Sequence, residues 1–160
     1  MTPATLVVLL MQFVIAQEGM RLNSYRDPVG LWTIGVGHTS NANKGHGLQV
    51  SPGMRITKEQ CEEILKEDLA EALAEVDRLV KVPLTTGQRA ALGDMVFNIG
   101  ASKFAKSGLL RVLNQGNYVA AGKALLQWDK AGNPPEPMPG LTNRCGARKA
   151  FWDMKDGETP

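Results

Sequence analysis

The pattern of apolar and polar positions predicts helices at both ends of the chain and a short extended region near its start. Residues 4–16 are almost entirely apolar and follow a typical helix start, Thr2-Pro3, so we predict a buried helix that ends at Gly19. Residues 20–39 instead combine short β-like runs with turns. Residues 40–53, rich in Asn, Gly and Ser, predict an exposed loop or hairpin tip that carries Lys44 and His46.

A long helix is predicted after this loop. Thr57 and Gln60 form a capping-box pattern, and apolar residues then recur at helical spacing as far as Val80. Pro83 follows, and the residue before a proline disfavours helix. We therefore predict a connecting helix over about 57–82.

The rest of the chain predicts shorter helices. Thr85 with Gln88 is a second capping box, a Pro-rich loop covers 132–140, and a last helix is predicted over about 142–154. The predicted fold class is α+β, mostly helical, in one domain over 1–160. Its predicted parts are a small β lobe (about 18–56), the connecting helix (about 57–82) and a helical lobe (1–17 with 83–160).

Composition narrows the classes of function. The net charge of +2 makes no case for a nucleic-acid partner. Cys61 and Cys145 lie outside any CxxC or Cys/His cluster, so neither a zinc site nor a disulfide framework is predicted. We expect no metal and no cofactor.

The apolar segment 4–16 allows two interpretations. It is shorter than the roughly 20 residues of a membrane span, and no Lys or Arg precedes it as in a secretory signal. A buried helix is therefore favoured over a cleavable signal. Because the segment is apolar on all sides, transient membrane association through residues 4–16 stays open as the alternative.

Three chemically useful residues lie at the start of the extended region. Asp27 follows Glu18 by nine positions, and Thr33 follows Asp27 by six. Two carboxylates and a hydroxyl on segments that fold back on each other are groups that glycosidic-bond cleavage can use. Taken singly, Asp27 is also a usual turn residue and Thr33 a usual strand residue.

A buried carboxylate is also predicted. Asp68 lies beside the apolar stripe of the long helix, where a charge is costly unless it is paired. We expect His38, at the end of the β-like run, to be its partner, with a solvated edge position as the alternative.

The run from Glu18 to Thr39, EGMRLNSYRDPVGLWTIGVGHT, resembles the signature of phage-type lysozymes, the endolysins of glycoside hydrolase family 24. In that family the Glu, Asp and Thr stand at this same spacing. Residues 56–59 (ITKE), 66–69 (KEDL), 82–84 (VPL), 95–100 (MVFNIG) and 139–144 (PGLTNR) also match. The resemblance covers nearly the whole chain and implies a lysozyme-like fold of two lobes joined by the long helix.

The resemblance also implies a reaction and its residues. The implied substrate is bacterial peptidoglycan, cut at the β-1,4 bond between N-acetylmuramic acid and N-acetylglucosamine with inversion. Glu18 would be the general acid, Asp27 the partner of the attacking water or of the developing charge, and Thr33 the holder of that water. Apolar neighbours such as Leu9 and Phe13 could favour the protonated acid by burying it.

Further roles come with the resemblance. Thr39, Phe97 and Asn98 are expected to bind substrate, and His38, Asp68 and Arg144 to support the site. The last helix departs from the family pattern, since Cys145 replaces a second Arg and Arg148 stands where a Glu is usual. Two other readings stay open. One is a lytic transglycosylase, and the other is a non-catalytic wall-binding or antimicrobial module that uses a basic helix face of Arg144, Arg148 and Lys149.

An endolysin would be made in the host cytoplasm and would act on the periplasmic wall. With no cleavable signal evident, export is expected to depend on a holin. We expect a monomer.

Overall fold

The computed structural model describes residues 2–40, 47–156 and 158, so Lys44 and His46 of the predicted loop lie outside the described residues. The fold is α+β and mostly helical, as predicted. The helices are α1 Pro3–Glu18, α2 Lys58–Leu79, α3 Thr86–Ile99, α4 Ala101–Ala105, α5 Gly108–Asn114, α6 Tyr118–Ala124 and α7 Pro139–Asp153. The strands are β1 Arg21–Arg26, β2 Trp32–Gly35, β3 His38–Thr39, β4 Lys130–Ala131 and β5 Glu136–Pro137.

Backbone contacts divide the chain into two compact units. One unit is Val7–Ala70, and the other is Met1–Leu6 with Glu71–Pro160. The boundaries between the units fall within α1 and α2, so each of these helices contributes residues to both.

The unit Val7–Ala70 contains a three-stranded antiparallel sheet in the order β1-β2-β3. On the central strand, Thr33 lies opposite Tyr25 of β1 and Thr39 of β3. The other edge of β1 is paired by the segment before α2, because the Ile56 amide donates to the Leu22 carbonyl at 2.9 Å. The central strand β2 is therefore paired with β1 on one edge and with β3 on the other, which fixes the positions of its side chains.

The two predicted starts of α1 and α2 are confirmed. The Thr2 hydroxyl accepts a hydrogen bond from the Thr5 amide at 3.1 Å. The Thr57 hydroxyl accepts from the Gln60 amide at 3.1 Å, and the Gln60 side chain accepts from the Thr57 amide at 2.8 Å. α1 ends at Glu18 because Gly19, with φ of 74°, leaves the helical region.

The longer of the two units is built around α3 and α7. The predicted capping box of Thr85 and Gln88 is present at the start of α3. α3 and α7 approach closely at Gly87, where an added Cβ would stand 2.2 Å from the Phe151 carbonyl oxygen. Likewise, a Cβ on Gly122 of α6 would stand 2.7 Å from Nε1 of Trp152. A side chain would clash at either contact, so both positions require glycine.

The Pro-rich segment, which was predicted to be a loop, contains regular structure. It forms a two-stranded hairpin, β4 with β5, and α7 begins at Pro139 rather than at residue 142. Proline fits both places, because the first turn of a helix and the end of a short strand need no backbone donor. The prediction also missed α4, and a 3-10 turn over Leu125–Gln127 follows the end of α6 at Ala124.

No helix within the described ranges is long and apolar enough to cross a membrane.

Candidate active site

The carboxylate of Asp27 is held by the turn that joins β1 to β2. Its Oδ1 accepts hydrogen bonds from the amides of Val29 at 3.0 Å and Leu31 at 2.8 Å. The Gly30 amide closes the same turn by donating to the Asp27 carbonyl at 2.9 Å. Such local bonds explain why an aspartate followed by proline and glycine turns here. Among the described residues none donates to Oδ2, which leaves this oxygen available.

The hydroxyl of Thr33 uses its hydrogen in a hydrogen bond to the backbone. Thr33 is only 3% exposed on the central strand, and its Oγ1 donates to the Leu31 carbonyl at 3.1 Å. A hydroxyl has one donor and two acceptor positions. Because the donor is used, Oγ1 can act toward a third molecule only as an acceptor.

Leu31 connects the two side chains. Its amide donates to Asp27 and its carbonyl accepts from Thr33, so one residue's backbone orients both groups. This positioning role was missed from the sequence, where Leu31 reads only as part of a β-like run. The residue is 50% exposed, and both contacts are made by its backbone rather than its side chain.

Glu18 is the last residue of α1. A Cβ added to Gly37, in the turn between β2 and β3, would stand 3.6 Å from Oε2 of Glu18. The carboxylate therefore lies against the sheet that carries Thr33. Glu18 is exposed, which corrects the expectation that Leu9, Phe13 and other apolar neighbours bury it. The physical reason is its place at the helix terminus, past the buried stripe that ends at Val14.

The predicted contact between His38 and Asp68 is present. Nδ1 of His38 lies 2.7 Å from Oδ2 of Asp68, and both side chains are largely buried. Nε2 of His38 lies 2.8 Å from the Leu48 carbonyl oxygen. A carbonyl and an ionised carboxylate both only accept, so both ring nitrogens of His38 act as donors, Nε2 to the Leu48 carbonyl and Nδ1 to Asp68. Thr39 is next in the chain and lies across the strand pair from Thr33.

The other unit contains an ionic cluster that sequence reasoning missed. Asp94, on α3, is 1% exposed as a side chain and pairs with two arginines of α7. Nη2 of Arg144 donates to its Oδ1 at 2.6 Å, and Nε of Arg148 donates to its Oδ2 at 2.7 Å. A signal was available, because Asp94 interrupts the apolar run from Ala90 to Val96 and a buried carboxylate needs a partner.

This cluster corrects the reading of the last helix as a basic surface. Arg144 is 5% exposed and Arg148 is 0% exposed, so of the three residues only half-buried Lys149 reaches solvent. Lys149 itself pairs with Asp153 one turn on. Arg148 also donates from Nη2 to Oδ1 of Asn98 at 3.2 Å. Phe97, beside Asn98 at the end of α3, is half-buried.

The two thiols have no visible part in this chemistry. Burial raises the pKa of the Cys61 thiol, and burial likewise raises the pKa of Cys145. Both thiols are therefore poor nucleophiles and metal ligands at neutral pH. Within the described part of the chain, no group of three or more His, Cys, Asp or Glu side chains is placed to hold a metal ion.

Known proteins are similar to this chain in sequence and in fold. The family model of phage lysozyme matches residues 15–148. The chain belongs to the phage lysozyme family. Within this family, the endolysin of Salmonella phage P22 is 48% identical over 135 residues, which cover 84% of this chain and 89% of that one. The SAR-endolysin of Escherichia phage Mu is 35% identical over 147 residues, covering 92% of this chain and 80% of the other.

The solved structures agree. The muramidase domain of SpmX from Asticaccaulis excentricus superposes with a TM-score of 0.80 at 30% identity, covering 91% of this chain and 95% of that one. Membership of the phage lysozyme family identifies the chain as a glycoside hydrolase of lysozyme type.

Proposed function

We propose that this phage lysozyme is an endolysin that hydrolyses the β-1,4 bond between N-acetylmuramic acid and N-acetylglucosamine in peptidoglycan, with inversion, to lyse the host. One catalytic domain over 1–160 would carry the activity, with Glu18, Asp27 and Thr33 as its catalytic residues. The observation that supports this best is the shared anchoring of Asp27 and Thr33 on the backbone of Leu31.

The attacking water fits between two acceptors. It would donate one hydrogen to Oγ1 of Thr33, whose own hydrogen is engaged, and the other to Oδ2 of Asp27. A lone pair of the water oxygen would then point away from these two acceptors, toward the anomeric carbon. Asp27 accepts the water's proton as the C–O bond forms, and the separate acid acts on the leaving group, which is the division of roles in an inverting glycosidase.

Glu18 would donate the proton to the leaving glycosidic oxygen. Glu18 is exposed in the protein alone, and a bound glycan would cover its carboxyl and exclude water there. Thr39, Phe97 and Asn98 are proposed to bind the glycan. His38 with Asp68, and Arg144 through Asp94, would keep the surrounding backbone in place.

Replacing Glu18 by Gln tests the assignment, since the amide keeps the shape but cannot donate an acidic proton. We expect lysis of outer-membrane-permeabilised cells to fall by roughly a hundredfold or more while the variant stays folded at the assay temperature. Undiminished lysis would refute the enzymatic role and favour the non-catalytic wall-binding or antimicrobial reading.

The products distinguish hydrolysis from transglycosylation. Mass spectrometry of digested walls should show reducing ends, whereas 1,6-anhydro ends would establish a lytic transglycosylase. NMR of fresh products should show the α anomer first, because inversion converts the β bond to an α product. An initial β anomer would exclude the proposed mechanism.

We further propose a route to the substrate. The chain would be made in the host cytoplasm, leave it through a holin-dependent lesion and act as a monomer on the periplasmic wall. The apolar outer side of α1 would add a transient membrane association through residues 4–16. Val8 supports this part, because it is 52% exposed on that helix.

A further inference from the structure

Two pairs of side chains interlock where α3 meets α7. Asp94 and Asn98 stand one turn apart on α3, and Arg144 and Arg148 stand one turn apart on α7. Arg148 contacts both partners on α3, through Nε to Asp94 at 2.7 Å and through Nη2 to Asn98 at 3.2 Å. Its complete burial and its ion pair with Asp94 hold the guanidinium in one place.

This contact decides which way the amide of Asn98 points. A guanidinium has only donors, so the atom of Asn98 that faces Arg148 must be the oxygen. The nitrogen Nδ2 then points away from Arg148 with its two hydrogens, and among the described residues it has no hydrogen-bond partner. Asn98 is half-buried, so Arg148 turns an amide that could donate or accept into one that presents donors.

We propose that Arg148 is a positioning residue that makes Asn98 a dedicated hydrogen-bond donor to an acceptor oxygen of the glycan. This inference rests on the proposed function, because it assumes that Asn98 contacts substrate. It gives Arg148 a role that its position in the last helix, where the family usually has a Glu, did not suggest.

The variant Asn98→Asp separates this role from a structural one. The carboxylate keeps an acceptor for Arg148 but replaces the outward N–H groups by an oxygen, which would repel an acceptor on the sugar. We expect KM for solubilised glycan strands to rise roughly three- to tenfold or more, with kcat and the unfolding temperature retained. A purely structural contact would leave KM unchanged, and that result would overturn the proposal.

A double-mutant cycle tests whether Arg148 acts through Asn98. Arg148→Met should raise KM in the wild-type background but have little further effect in the Asn98→Ala background. Equal effects in both backgrounds would overturn the coupling. If Arg148→Met does not fold, Arg148→Lys takes its place in the cycle, because lysine keeps a positive charge beside Asp94 but lacks the planar fork of donors that reaches Asp94 and Asn98 together.

The same assays separate this inference from the proposed function. If Glu18→Gln abolishes cleavage while Asn98→Asp behaves as wild type, the inference alone fails. If Glu18→Gln retains cleavage, the proposed mechanism itself is wrong.

Discussion

Thr33 offers the sharpest single-residue test of how the water is held. Thr33→Val keeps the shape of the side chain but removes Oγ1, which is both the donor to the Leu31 carbonyl and the proposed acceptor for the water. We expect kcat to fall by about 10²-fold or more with little change in KM, because only the reaction step uses the water. Steady-state kinetics on solubilised glycan strands would measure this.

The control for that substitution is Thr33→Ser, which retains the hydroxyl. It should keep most of the activity, although the lost methyl group costs about 1 kcal/mol of stability at this buried position. Equal loss of kcat in both variants would contradict the water-holding role and point to packing instead.

His38 and Asp68 lead to the opposite expectation, a large effect on stability and a small one on the chemistry. Asp68→Asn weakens a charge-assisted contact that is largely removed from solvent, so we expect the free energy of unfolding to fall by about 1–3 kcal/mol. Chemical denaturation would measure the loss. At temperatures where the variant stays folded, kcat should remain near that of wild type; a loss of kcat there would assign the pair to catalysis.

Helices α2 and α3 are joined by an ion pair with a defined pH dependence. Arg89 donates to both oxygens of Asp77, at 2.8 and 2.6 Å, and this hydrogen bonding lowers the pKa of Asp77 below its ordinary value. A carboxyl with a lowered folded-state pKa stabilises the fold above its unfolded pKa of about 3.9. That contribution is lost as the pH falls toward the folded-state pKa.

Asp77→Asn should therefore lower stability at pH 7 and have no effect once the pH is below both pKa values. Because Asp77 is half exposed, the difference should be under about 1 kcal/mol and smaller still in high salt. Urea unfolding at both pH values would measure it, with the exposed Glu67→Gln as the control. A difference that persists in acid would show that the pair's charge is not its cause.

The close packing of α3 on α7 predicts a reversal of the usual rule for helical glycines. Gly→Ala within a helix normally stabilises by roughly 0.5–1 kcal/mol. At Gly87 the new methyl would stand 2.2 Å from the Phe151 carbonyl oxygen, so α3 and α7 must move apart, and we expect a loss of about 2 kcal/mol or more.

Gly146 on α7 is the matched control, because an added Cβ there meets nothing within 4 Å. Gly146→Ala should raise the unfolding temperature while Gly87→Ala lowers it. Two shifts of the same sign would contradict the close approach.

How far these features can be predicted from the sequence depends on the distance over which their causes act. The capping boxes at Thr57 and Thr85 were predictable because a cap bonds to an amide only three residues on. The turn at Asp27 follows from equally local bonds. The pairing of His38 with Asp68, 30 positions apart, was accessible only because a carboxylate beside an apolar stripe requires a partner.

The features that escaped prediction depend on tertiary contact. Arg148 and Asp94 are 54 positions apart, and a basic residue in an amphipathic pattern gives no local indication that it is buried. The need for glycine at Gly87 likewise comes from the Phe151 carbonyl of another helix. The exposure of Glu18 is of the same kind, because the apolar composition of α1 does not reveal where its buried stripe ends.

The distribution of apolar residues around α1 bears on how the protein meets the envelope. Leu6, Leu10 and Val14, spaced four apart, are almost fully buried, and this stripe packs the helix into the fold. Val8, at 52% exposure, lies outside that stripe. Burying one such side chain in lipid gains only about 1.5 kcal/mol, close to a tenfold change in affinity, so the proposed membrane association should be weak and reversible.

Val8→Lys therefore tests the membrane proposal without touching the buried stripe or the active site. We expect the wild-type chain to co-sediment weakly with phosphatidylcholine vesicles and Val8→Lys to lose this binding, while both clear isolated cell walls equally. Val119→Lys is the matched control, because Val119 is 70% exposed on α6 and its replacement should leave vesicle binding unchanged. Equal losses of vesicle binding in the two variants would attribute the binding to general hydrophobicity. If the wild-type chain does not bind vesicles, the membrane proposal is wrong and α1 acts only as a packed helix of the fold.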